Sequence, residues 1–98
     1  MEKRTPHCCL TTVKTLVDRG KVRTTHSARV GATALGIDYS DMLEVIQALK
    51  PADFYKSMTT YADHTVWQDV YRPSTQVGDI YLKLTVVDDL LIVSFKEL

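Results

Sequence analysis

Lys56, Met58, Gln68, Arg72, Tyr81, Lys83 and Lys96 are the side chains of this 98-residue sequence best suited to act together on an anion. They become neighbours only if the strands around them pair in a particular register. Residues 80–87 and 90–96 are rich in Val, Ile, Thr and Tyr, and Asp88-Asp89 between them reads as a two-residue turn. Val87 then pairs with Leu90. Ile80, Leu82, Leu84 and Val86 share an apolar face with Leu91, Val93 and Phe95. The other face carries Tyr81 across from Lys96, Lys83 across from Ser94, and Thr85 across from Ile92. A turn near His64 pairs residues 54–61 with 66–72, setting Lys56 opposite Arg72, Met58 opposite Val70 and Thr60 opposite Gln68. The loop Pro73–Asp79 leaves open whether the two hairpins present their polar sides together. If they do, Tyr55, Tyr61, Trp67 and Tyr71 face the other way.

Clustered ammonium and guanidinium groups attract a phosphodiester and stabilise charge that builds on a phosphorane. Tyr and Met offer surfaces on which unstacked bases rest, the way single-stranded RNA is commonly read. The competing reading is a solvated sheet face dotted with Lys and Thr. His7, His26 and His64 are scattered, with no metal-ligand spacing. His7 lies near a predicted helix start, where an anion is favoured, so it is a candidate phosphate contact. No Gly-rich phosphate loop, Ser-His-Asp set or carboxylate pair stands out. Cys8 and Cys9 are adjacent, which all but excludes a disulfide between them and predicts reduced thiols near a helix start.

The elements that must hold these groups fall into a helical front and a stranded back. Thr5-Pro6 reads as N-cap and first helical residue, with Leu10, Val13, Leu16 and Val17 at helical spacing and Gly20 as a stop. Val22–Thr24 is a short extended piece. Thr25 caps a second helix whose Val30, Ala34 and Leu35 face inward and which Gly36 ends. Ser40 or Asp41 caps a third, Asp41 with Glu44 fitting a capping box. Met42, Val45, Ile46 and Leu49 form its stripe, and Pro51 ends it. The short links between the later strands favour antiparallel hairpins. The expected class is α+β, with about three N-terminal helices packed on a C-terminal antiparallel sheet.

A chain of this length makes one domain, residues 1–98. Its 45% hydrophobic content is too high for a disordered chain. The short apolar runs exclude a transmembrane helix, and the opening residues do not resemble a signal peptide, so the expected compartment is the cytoplasm. Twelve basic residues balance twelve acidic ones, so any anion must be held by a local patch. Residues 1–50 carry eight basic and five acidic side chains, and residues 51–98 carry four and seven.

The run Asp53–Tyr61, followed by Asp63–Pro73, resembles the motility quorum-sensing regulator (MqsR) toxin family. Val77–Val86, Leu91–Glu97 and the opening Met1–His7 fit as well, so the likeness covers essentially the whole chain. The resemblance implies a RelE-like bacterial toxin fold and sequence-specific endoribonuclease cleavage of messenger RNA at G-C-U-type sites. It implies a cognate DNA-binding antitoxin, zinc-containing and with a helix-turn-helix, and a link to growth arrest, persistence and biofilm behaviour. Lys56, Gln68 and Tyr81 match the family's proposed catalytic positions, and Arg72, Met58 and Lys96 match supporting ones. Lys83 and His7 join as substrate contacts from strand register and helix position alone. Cys8-Cys9 and His26 depart from the family pattern, which puts general RNA affinity in question more than the chemistry.

The expected reaction needs no metal or cofactor. The ribose 2′-hydroxyl attacks the adjacent phosphate, leaving a 2′,3′-cyclic phosphate and a 5′-hydroxyl. Arg72 stabilises the phosphorane, Lys56 and Tyr81 share proton transfer, and Gln68 orients the scissile group. The alternative is a non-catalytic RNA- or protein-binding module that acts with its antitoxin as a corepressor.

Overall fold

The computed structural model covers residues 1–98. Its helices are α1 (Leu10–Asp18), α2 (His26–Ala34) and α3 (Tyr39–Gln47). Thr25 caps α2 as expected, its hydroxyl accepting from the Ala28 N–H at 3.0 Å. The other two starts differ from expectation. α1 begins at Leu10 rather than at Pro6. The chain before it is bonded to the sheet instead: the His7 and Cys8 N–H groups donate to the Asp69 carboxylate at 2.9 and 3.0 Å. α3 starts at Tyr39, ahead of the expected caps Ser40 and Asp41, because Asp38 is the cap and accepts from the Asp41 N–H at 2.8 Å. Pro51 does not end α3, which stops at Gln47; it opens a short 3₁₀ turn, Pro51–Asp53.

The strands are β1 (Glu2–Lys3), β2 (Val22–Thr24), β3 (Phe54–Thr59), β4 (Trp67–Tyr71), β5 (Ser74–Thr75), β6 (Gly78–Val87) and β7 (Asp89–Glu97). They lie in the order β1-β3-β4-β6-β7-β2, with β5 paired to β6. The fold is α+β, but the sheet is mixed, not purely antiparallel: β2 runs parallel to β7, Val22 beside Leu90 and Thr24 beside Ile92. Short hairpin links constrain only the strands they join. β2 and β7 are separated by two helices and every other long strand, so nothing local forces them antiparallel.

The helices cover one face of this sheet. Met42 and Ile46 of α3, Val13 of α1, and Ala28 and Ala32 of α2 are buried against Tyr71, Ile80, Leu82, Leu84, Leu90, Ile92 and Phe95. Each large side chain removed from water here contributes about 1.5–3 kcal/mol before entropy is counted. α2 turns a different side inward than its apolar pattern suggests. Leu35 packs on the core as expected, but Val30 and Ala34 are exposed, while Ala28 and Ala32 are buried. The reason is a close approach: a Cβ on Gly31 would sit 2.0 Å from the Phe95 carbonyl oxygen. Glycine and alanine on that side let the helix lie directly on β7.

β7 also corrects the expected hairpin register. Tyr81 pairs with Lys96 and Lys83 with Ser94 as foreseen, but a bulge follows, and Leu84 pairs with Ile92, Thr85 with Leu91. Leu90, Ile92 and Phe95 are therefore the buried residues of β7, not Leu91 and Val93. The turn shrinks to Asp88, the one non-glycine residue with positive φ, at 66°. A bulge absorbs the extra residue and keeps both halves of the strand's apolar set on the core side.

Candidate functional site

The face of the sheet turned away from the helices collects the predicted residues. Lys56 pairs with Val70, and Val70 in turn pairs with Lys83. Met58 pairs with Gln68, and Tyr81 with Lys96. Directly paired residues share a face, and so do residues two apart on one strand. Lys56, Met58, Gln68, Tyr81, Lys83 and Lys96 thus stand on one side, with Leu82, Leu84 and Tyr71 of the core on the other. The first hairpin pairs two residues away from the expected register. A shift of two leaves every side chain on its original face, so the constellation survives.

Within this face the Tyr81 ring lies between two ammonium groups, Lys96 Nζ at 5.2 Å and Lys83 Nζ at 5.8 Å from its centroid. Arg72 lies just past β4, its N–H donating to the Asp53 carbonyl at 2.8 Å. Its guanidinium is 3.8 Å from the Tyr55 ring centroid, and Lys56 Nζ is 5.4 Å from the same ring. Tyr55 was expected to face the helices. A bulge between Phe54 and Lys56 changes that: Phe54 packs on the core, edge-on to Tyr71 at 5.5 Å, and Tyr55 joins the cations. Tyr61 is fully exposed in the 60–66 loop rather than facing the helices. Around Gln68 the backbone is tied across strands. The Ser57 hydroxyl donates to the Gln68 carbonyl at 3.4 Å, and the Thr85 hydroxyl to the Trp67 carbonyl at 2.7 Å.

His7 is not brought to this face. It precedes α1, and its ring stacks on Trp67 at 5.8 Å on the helix side of β4. Conversely, Glu2 escaped the sequence reading. Its carboxylate accepts from Lys56 Nζ at 2.6 Å. That bond holds the Lys56 ammonium above its usual pKa, with burial opposing, and holds the Glu2 carboxyl below its own. A two-residue strand has no periodicity, so no local signal could have placed Glu2 there. Cys8 and Cys9 are both free thiols; burial raises the pKa of Cys8, while hydrogen bonds from Thr12 lower that of exposed Cys9.

An open, cationic sheet face carrying a phenol, an amide and a thioether suits a flexible polyanion with exposed bases. A family model described as the motility quorum-sensing regulator, toxin of MqsA, matches residues 5–97. The chain belongs to the MqsR toxin family. It is also similar to the mRNA interferase toxin MqsR of Escherichia coli (strain K12), 62% identical over 97 residues, which cover 99% of each chain. The match thus spans the helices that build the core as well as the strands that carry the open face.

Proposed function

We propose that this MqsR family member is an mRNA interferase toxin, an endoribonuclease that cuts messenger RNA on the open sheet face. The carrying observation is the shared register of Lys56, Gln68, Tyr81 and Lys83 on the side free of helices. The single domain, residues 1–98, is read as RelE-like and cytoplasmic, and G-C-U-type sites are the expected targets. The 2′-hydroxyl attacks phosphorus while the bond to the 5′-oxygen breaks. The proton lost by the former is balanced by the one the leaving oxygen gains. Arg72, Lys56, Lys83 and Lys96 stabilise the extra charge of the phosphorane, Tyr81 takes part in proton transfer, and Gln68 orients the phosphate. Met58 supports a base beside the scissile bond. Unperturbed Lys and Tyr titrate near pH ~10, so positioning and electrostatics carry much of the rate.

The partner that restrains such an activity is read as a DNA-binding antitoxin with zinc and a helix-turn-helix. The test incubates the purified chain with a defined transcript holding one GCU site. Cleavage there, leaving a 2′,3′-cyclic phosphate and persisting in EDTA, is expected; a 2′-deoxy substitution at that site should abolish it. A shifted band without turnover would instead support a binding module.

A further inference from the structure

We propose that Glu2 is a positioning residue for RNA cleavage: from edge strand β1, its carboxylate fixes the Lys56 ammonium on the open face. This rests on the reading of Lys56 as part of the cleavage site. A carboxylate beside a polyanion's path repels the ligand, so its place there needs another reason. Lysine is a flexible stem with a point charge, and unrestrained it samples many positions. A 2.6 Å charge-assisted bond to Glu2 removes that freedom, and the Lys56 side chain is only 19% exposed while it is made.

The strand that carries Glu2 is gripped from both sides. Glu2 pairs with Met58 and Lys3 with Ser57, and the Met1 carbonyl accepts from the Thr59 N–H at 3.0 Å. On the helix side, Lys3 Nζ lies 4.1 Å from the Trp67 ring centroid and 3.0 Å from His7 Nδ1. Lys56 is faced by Glu2 from β1, Tyr55 from its own strand and Tyr81 from β6, and it shares the Tyr55 ring with the Arg4 and Arg72 guanidinium groups. Of these only Glu2 is a carboxylate. Paired with it, Lys56 meets the phosphate as a fixed positive charge rather than as a base.

The experiment compares Glu2→Ala, Glu2→Gln and Lys56→Gln in the full chain. Single-turnover cleavage of a short GCU-containing RNA is followed from about pH 6 to about pH 11. Glu2→Ala should lower the cleavage rate at saturating RNA about tenfold while RNA binds as tightly or more tightly. In both Glu2 variants the alkaline fall in rate should begin at lower pH. Glu2→Ala should cost nothing further when added to Lys56→Gln. Fluorescence of Trp67, the single tryptophan, reports whether β1 stays docked. If Glu2→Ala disturbs it, Glu2→Gln decides on the pH profile alone. An unchanged rate and profile, a faster Glu2 variant, or an equal loss in the Lys56→Gln background would each overturn the proposal. Wild-type cleavage by Lys56→Gln would instead defeat the reading of the site itself.

Discussion

The two faces of the central strands are built on opposite terms. On the helix side of β6, Ile80, Leu82 and Leu84 are at most 2% exposed. One residue away in each case, Tyr81 and Lys83 are only half-buried. The helix side is closed by apolar packing, and the open side holds charged and polar side chains, Lys56 paired with Glu2 among them, where the proposed RNA would lie. Stability and the proposed chemistry are thus divided by the alternation of a strand rather than between separate regions.

Substitutions chosen on opposite faces sharpen this division. Met42→Ala, in the core under α3, should cost about 2–5 kcal/mol in chemical unfolding while RNA cleavage per folded molecule holds. Gln68→Ala should do the reverse, lowering cleavage about tenfold or more with little change in the unfolding midpoint.

Asp69 is the place where the division can be broken. It adjoins Gln68 yet faces the helices, and it accepts the N–H groups of His7 and Cys8. Asp69→Ala leaves those donors unpaired, a cost of about 1–3 kcal/mol in denaturant titration. Because the same segment leads back to β1 and Glu2, cleavage should fall as well. A variant that loses stability but keeps full activity would show that the two faces are independent even here.

The smallest effect is expected at Tyr71. Its hydroxyl is buried and has no hydrogen-bond partner, so Tyr71→Phe should be neutral or slightly stabilising at pH 7. Burial pushes the phenol far above its usual 10.0. Above that value the unfolded chain releases the Tyr71 proton and the folded chain keeps it, so stability falls as pH rises. Thermal melts across this range should show a shallower alkaline decline in Tyr71→Phe.

Much of this division was legible in the residues because strand periodicity is two. The pairing of β3 with β4 was off by two and still put Lys56, Met58 and Gln68 on the correct side. A one-residue error near the β6–β7 turn reversed Leu91 and Ile92, and only the bulge rescued the far end, where Tyr81 meets Lys96. Thr25 was legible as a cap because its bond is local. The cap of α3 was a local miss, Asp38 taking the place of Ser40 or Asp41; the misses that bear on the site were long-range. β1 is too short to show a pattern, and although Val22–Thr24 reads as extended, the partners of both β1 and β2 lie far along the chain. The early residues through His7 look like a helix start until Asp69 claims their N–H groups. The Glu2–Lys56 pair depends on that same distant docking.

The parallel seam between β2 and β7 sets an order on assembly. β7 is the last element in chain order, yet β6, β2 and α2 all meet it. A nascent chain therefore cannot close its core, or level the cationic platform, until β7 has left the ribosome. A fragment that stops before β7 lacks the strand on which β6 and β2 both pair, and with it the Lys96 ammonium of the open face.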